Sequence, residues 1–202
     1  MALQVLVPPA AEPVTLSEAK AHLRVDISTD DSLISALISA ARDLVERTTR
    51  RALIYTGYRW TLDVFPEGYL ELPRQPVVEA AAATVFAYGT PRVQFYDMDG
   101  VLQTLVKEDD FEHDLFSNPP QLVLPPLVYW PFTEVGKVNA VRVDFVAGYG
   151  ATGSSVPALL RQAILLLVSH WYEHREAVGT VGAEVPMAVD SILKIYSAGD
   201  YV

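Results

Sequence analysis

Apolar residues recur along this chain at two different periods, and the switch between them separates helical from strand-rich segments. Over residues 156–176 the apolar positions Leu159, Leu160, Ala163, Ile164, Leu167, Val168, Trp171 and Tyr172 fall three and four apart, the spacing of one buried helical face. Pro157 stands in the first turn, where its missing N–H has no intrahelical partner to lose. A helix of about 20 residues spans roughly 30 Å, enough to cross a small domain, so this is the expected core helix. A second long helix, over residues 30–49, carries Leu33, Ile34, Leu37, Ile38, Ala41, Leu44 and Val45 on one stripe. Ser28 or Thr29 is its expected cap, with Asp30 and Asp31 at the positive end of the helix dipole. A short helix over 17–23 precedes it, announced by Thr15 and Glu18 at the spacing of a capping box.

From Ile54 the period drops to two. Tyr58, Trp60, Leu62 and Val64 alternate with polar or small residues, as in a half-buried strand. Strand-like runs follow at 69–72, 84–88, 93–96, 122–124 and 140–146, punctuated by turns rich in Pro, Gly, Asn and Asp. Short strands at this rhythm predict an antiparallel sheet. The expected fold is therefore α+β: a helical core of two long helices plus short helices, with an inserted antiparallel β subdomain. The expected organisation is 1–53 as the N-terminal part of the helical core, 54–150 as the β insertion, 151–182 as core helix and hinge, and 183–202 as a C-terminal arm. In the arm, Val185 and Pro186 open an amphipathic helix whose apolar face is Val189, Ile192, Leu193 and Tyr196. Such a helix on a Gly-containing tether either folds back on the core or docks into a neighbour.

Composition narrows the function more than the fold. Half of the 202 residues are hydrophobic and a fifth are charged, the balance of a folded chain. The absence of cysteine excludes disulfides and thiolate metal sites. A net charge of −10 disfavours gripping nucleic acid, which requires Lys and Arg to displace counterions. The N-terminus has neither the basic region nor the apolar run of a signal peptide, and the longest apolar run, residues 163–168, is too short to span a bilayer.

Three motifs invite chemistry. His170, Glu173 and His174 match H-x-x-E-H, in which two His at i and i+4 hold Zn²⁺ while the Glu acts as general base on its water. A catalytic zinc needs a third ligand, and the only Glu beyond Glu176 is Glu184, in a Gly-rich stretch. The expected reading is a helix end, with cationic groups at the negative end of the dipole. Asp97, Asp99 and Gly100 resemble the opening of a calcium loop, with Glu108 twelfth in line. The glycine, however, is fourth rather than sixth, and position five is Val101, so a hairpin turn is expected. Gly148 and Gly150 lack the third glycine and the Lys of phosphate loops, and read as a strand exit. The basic end of the second helix, Arg42, Arg47, Arg50 and Arg51, reads as dipole complement on a solvated surface. No nucleophile, metal set or cofactor cradle emerges, and no enzyme is expected.

The ordered segments resemble phage head–tail connector (adaptor) proteins. The resemblance begins with the run from Thr15 to Asp26 and the pattern from Asp30 to Arg42. It continues through Trp60 to Pro66, Leu70 to Pro76, the turn from Tyr96 to Gly100, Trp130-Pro131, and Val143 to Gly150. Val156-Pro157, His170 to Glu176 and the terminal block from Val185 to Leu193 complete it. One departure is the run of four alanines at 80–83, where a β-branched strand is expected, so the first sheet pairing is open. The resemblance implies a structural subunit of tailed phages and gene transfer agents, with about twelve copies in a closed ring beneath the portal protein. The ring extends the DNA channel, through which DNA passes without specific binding, and docks the tail. It further implies partners in the portal and in a tail-side connector or terminator protein, and a location in the particle neck after assembly in the host cytoplasm. On this resemblance the arm contacts the portal through Val185, Pro186, Val189, Ile192, Leu193 and Tyr196, and the β subdomain forms the outward, tail-side or inter-subunit surface. A zinc hydrolase using H-x-x-E-H, or a tail-terminator or tail-completion ring protein, are the alternatives.

Overall fold

The computed structural model describes residues 1–79, 86, 91–174 and 187–197. The fold is mixed α+β, with four α-helices and antiparallel sheets among the described residues. The chain divides into two compact units, Met1–Pro9 with Tyr55–Gly148, and Ala10–Ile54 with Tyr149–Val202.

The helical unit is built from α1 (Leu16–Leu23), α2 (Asp31–Thr49), α3 (Ala158–Glu173) and α4 (Met187–Tyr196). Its core joins Ile34, Ile38, Ala41 and Val45 of α2 to Leu160, Ala163, Ile164, Leu167 and Val168 of α3, all buried. Burying an aliphatic side chain of this kind contributes about 1.5–3 kcal/mol, so the stripe read from the sequence is the principal stabilising element of this unit. Trp171 packs against the same cluster at its edge. The capping box at α1 forms as its spacing requires: the Glu18 N–H donates to Thr15 Oγ1 at 3.2 Å, and the Thr15 N–H donates to Glu18 Oε2 at 2.8 Å. At α2 the structure departs from expectation. Neither Ser28 nor Thr29 caps it; the cap residue is Asp30, with no side-chain cap bond. The Asp30 carboxylate instead accepts from the Tyr172 hydroxyl at 2.5 Å, so a charged side chain that could cap α2 ties α2 to α3.

Two glycines in the strap before α3 are there for close approach. A Cβ on Gly150 would collide with the Ser155 side chain, and one on Gly153 would collide with the carbonyl of Pro13. The Pro13 carbonyl also accepts from Arg161 Nε at 3.1 Å, which fixes the N-terminal strap against α3.

The β unit holds a six-stranded antiparallel sheet. Its path runs β1 (Ala2–Val7), β2 (Thr56–Leu62), β9 (Val141–Ala147), β5 (Arg92–Tyr96) and β6 (Leu102–Thr104), and β4 (Val77–Val78) also pairs with β9. The smaller sheet has the order β3 (Leu70–Glu71), β8 (Gln121–Val123), β7 (Glu112–Asp114). β9 is almost wholly buried, which explains its near-continuous apolar sequence. The exceptions are half-buried Arg142 and Asp144, the latter 1% exposed, whose carboxylate accepts two bonds from Arg59 at 2.7 and 2.8 Å across the β2–β9 register. Arg92 stands opposite Asp144 on the other flanking strand. The strands expected at 69–72, 93–96, 122–124 and 140–146 are present with shifted ends. The run at 84–88 lies outside the described residues, except Phe86. β1, β6 and β7 were not anticipated, being short or lacking clean alternation. The open pairing after Pro76 resolves for Val77 and Val78, which lie against Ala147 and Val146.

Candidate assembly surfaces

The C-terminal helix is folded back on its own unit. Val189 and Leu193 are buried in the helical core, with Ile192 and Tyr196 packed against it. Arg51, just after the C-cap of α2, donates from Nε to the Tyr196 carbonyl at 2.8 Å and lies 5.8 Å from the Tyr196 ring centre. Its other nitrogen, Nη1, donates to the Tyr149 hydroxyl at 3.2 Å, and burial pushes the Tyr149 phenol up. The large apolar residues that face outward on α4 are Met187 and Ile195, beside exposed Asp190, Ser191 and Lys194. Val185 and Pro186 lie outside the described residues.

The basic end of α2 is correspondingly less solvated than its composition suggests. Arg42 pairs with Glu12 at 2.8 Å and with Glu46 at 3.3 Å, and Arg51 is occupied as above. Arg47, paired with Asp43 at 2.8 Å and largely exposed, and the exposed C-cap residue Arg50 fit the surface reading.

His170 and His174 do share a face, with ring centres 4.7 Å apart. The helix stops there: α3 ends at Glu173, the His174 N–H donates to the His170 carbonyl at 3.0 Å, and His174 Nδ1 lies 2.9 Å from that oxygen. Among the described residues no group of three His, Asp or Glu side chains could hold a metal ion, and Glu184 lies outside them. Asp97 closes a turn between β5 and β6. Its carboxylate accepts the N–H groups of Asp99 and Val101 at 3.0 and 2.9 Å, and Gly100 takes φ +76°, the conformation that favours glycine. The Gln103 amide, with the Val101 N–H next, holds the Asp97 carboxyl below its usual range, as expected of a carboxylate used to stabilise a hairpin.

The β unit carries a surface that sequence reasoning missed. Phe65 and Trp130 stack with rings parallel at 4.8 Å, Phe65 meets Phe95 edge-on at 5.8 Å, and the Trp130 indole donates to the Gly68 carbonyl at 2.7 Å. These contacts hold the turn around residues 64–68 against the segment 129–136, leaving an apolar groove of about 830 Å³. Tyr129, Phe132 and Val135 stand on it 81–86% exposed. The segment is anchored, not loose: the Glu134 N–H donates to the Tyr96 carbonyl at 3.1 Å, Glu134 pairs with Lys137 at 2.6 Å, and the Asn139 N–H donates to Asp63 at 2.8 Å. A contiguous exposed apolar patch on a held backbone marks a protein-interaction surface. The signal in the sequence was the density of Leu127, Tyr129, Trp130, Phe132, Val135 and Val138 in a segment with no strand period.

No helix among the described residues is long and apolar enough to cross a membrane. A search of curated proteins gives no match. Among solved structures, a chain of the virion of a native gene transfer agent particle matches at 22% identity and TM-score 0.78. Chains from the neck of the empty particle, computed with C6 symmetry, and of the native particle, computed with C12 symmetry, match at 25% identity with TM-scores of 0.77 and 0.72. Each alignment covers 100% of this chain and 98% of the other. Residues 13–89 match the family described as phage gp6-like head-tail connector protein. The resemblance drawn from the ordered motifs is supported: residues 13–89 match the phage gp6-like head–tail connector family, and the whole chain has the fold of a protein found in the neck of a gene transfer agent particle.

Proposed function

We propose that this chain is a structural head–tail connector subunit that closes into a ring in the particle neck, beneath the portal, and there continues the DNA channel and receives the tail. The observation that carries the reading is the end-to-end fold agreement with chains of gene transfer agent necks, one of them computed with twelve-fold symmetry, joined to the connector-family match over residues 13–89. The net charge of −10 suits a channel wall that DNA must slide past without being held. The two long helices α2 and α3 form the core of the subunit in this reading, and the β unit is an insertion that presents the outward surface. The family is structural, and the helix-end geometry of His170 and His174 does not favour the zinc hydrolase.

Portal contact through the C-terminal segment remains part of the proposal, with a changed face. Val189 and Leu193 serve the subunit's own core, so the side of α4 available for docking is that of Met187 and Ile195. Removing the segment outright would uncover the core, so the clean perturbation is Met187→Ser with Ile195→Ser. The deciding experiment is electron microscopy of the purified protein mixed with portal, with tail tube as the comparison. A ring stacked on the portal supports the connector reading. A ring on the tail tube alone would make the protein a tail terminator, and no ring on either would remove the reading.

A further inference from the structure

A ring with rotational symmetry about one axis uses a heterologous contact, in which each copy offers two unlike faces and the second receives the first of its neighbour. The β unit has two such features. One is the apolar groove between residues 64–68 and 129–136. The other is Phe116, fully exposed at the tip between β7 and β8.

Phe116 is held outward. The Asp114 carboxylate accepts the N–H groups of Phe116 and Ser117, both at 3.0 Å, and the Ser117 hydroxyl at 2.5 Å. The Ser117 hydroxyl, with its N–H next, holds the Asp114 carboxyl below its usual range, so the turn is set at neutral pH. The backbone beneath the ring is fixed in this way, so docking has to order only the Phe116 side chain, and aromatic anchors of this kind dominate interface energetics.

The topology separates the two features. Leu70 pairs with Leu122 and Glu71 with Gln121, so the start of β3, next to Gly68, lies at the Leu124 end of β8, and both Gly68 and Leu124 line the groove. At the other end the Leu72 N–H donates to the Pro120 carbonyl, and the Gln75 amide donates to the Asn118 side chain at 3.0 Å, which places the Phe116 tip there. Knob and groove thus sit at opposite ends of the same small sheet, the arrangement a head-to-tail contact requires. Charge is mixed at the knob end, where Arg74 accompanies the Asp114 carboxylate, and acidic at the groove, which Glu67 and Glu134 line.

We propose that in the connector ring Phe116 of each copy inserts into the groove beside Phe132 and Trp130 of the next copy. The proposal rests on the connector reading and deepens it, assigning the β unit to the contact between subunits.

The chain has no cysteine, so disulfides form only where they are introduced. Ser117→Cys, which leaves Phe116 in place, and Thr133→Cys are placed in one full-length chain, assembled with portal, oxidised mildly and run on a non-reducing gel. The expected result is a ladder of covalent multimers from the double variant. A mixture of the two single variants should stop at the dimer, and neither single variant alone should cross-link. Rings that form without a ladder, a disulfide within one chain only, or Ser117→Cys chains linking to themselves would each overturn the proposal while leaving the connector reading intact. Failure of the unmodified protein to form any ring would strike that reading instead. As a second arm, Phe116→Asp should leave the unfolding curve superimposed on that of the parent protein while abolishing ring formation; rings that form undiminished overturn the proposal.

Discussion

Arg51→Gln tests whether α4 is a docked part of the helical unit or an arm that is free to leave it. The guanidinium holds α4 from outside, through the Tyr196 carbonyl at 2.8 Å and through its approach to the Tyr196 ring, without belonging to the α4 surface. Glutamine is too short for that carbonyl and carries no charge. A hydrogen bond to a charged group is worth about 1.5–3 kcal/mol, and a partly solvated one belongs at the lower end. A loss of about 1.5 kcal/mol raises the open population roughly tenfold. Hydrogen exchange read residue by residue should therefore show the α4 amides exchanging roughly tenfold faster, with those in the middle of α3 unchanged. If the α4 amides exchange as fast as an unstructured peptide in the parent protein, or if Arg51→Gln leaves them unaltered, the docking argument fails.

The same variant reports on portal binding with a sign. If the portal engages the outward Met187 and Ile195 side of a docked α4, loosening the helix weakens binding or leaves it unchanged. If the portal must instead capture the Val189 and Leu193 face, binding requires the open form, and raising its population tightens apparent affinity by up to the same tenfold factor. Titration of portal against parent and Arg51→Gln protein separates the two outcomes.

Three other perturbations follow from the structure. Asp144→Asn leaves Arg59 beside a neutral group in the middle of the large sheet, with Arg92 at the facing register position. It should lower the stability of the β unit by about 3 kcal/mol in denaturant titration, the lower end for a broken buried pair because Arg59 is partly solvated. Gly153→Ala drives a methyl group toward the Pro13 carbonyl and should cost about 1–3 kcal/mol by the same measurement, with Gly136→Ser, at an open but left-handed position, as comparison. The Thr15 N–H holds the Glu18 carboxyl, and Lys107 the Glu79 carboxyl, below the ordinary range. A depressed carboxylate contributes stability that is present above the unfolded value and lost as pH falls through the folded one. Denaturant midpoints should therefore be flat from neutral pH to about 5 and decline below about 4, with Glu18→Gln, which cannot titrate, blunting the decline.

What the sequence disclosed follows from the range of the forces involved. The α2 and α3 stripes and the α1 capping box are set within a few residues, and they appear where the pattern puts them, except that Leu159, in the first turn of α3, is exposed. The α2 cap failed because Asp30 is taken by Tyr172, a partner 142 positions away that no local rule can see. β1 was hidden for a similar reason. Its exposed Val5 and Leu6 belong to a sheet edge, and only pairing with β2 makes a strand of a segment that reads as a Pro-containing extension. The terminal helix was legible as amphipathic, yet amphipathicity does not say whose apolar surface covers it.

The groove shows the opposite limit. Its residues are conspicuous by type, but aromatic density in a turn-rich segment reads equally as a buried plug. The difference lies in four tethers, from Tyr96, Gly68, Asp63 and Lys137, that fix the segment with its aromatics outward. A monomer gains nothing by holding Tyr129, Phe132 and Val135 in water, whereas a subunit that meets its neighbours does. In the proposed ring that exposure ends when neighbouring copies meet. On this view the β unit supplies the contact between copies, and the helical unit, its apolar stripe already spent on its own core, is left free to face the portal.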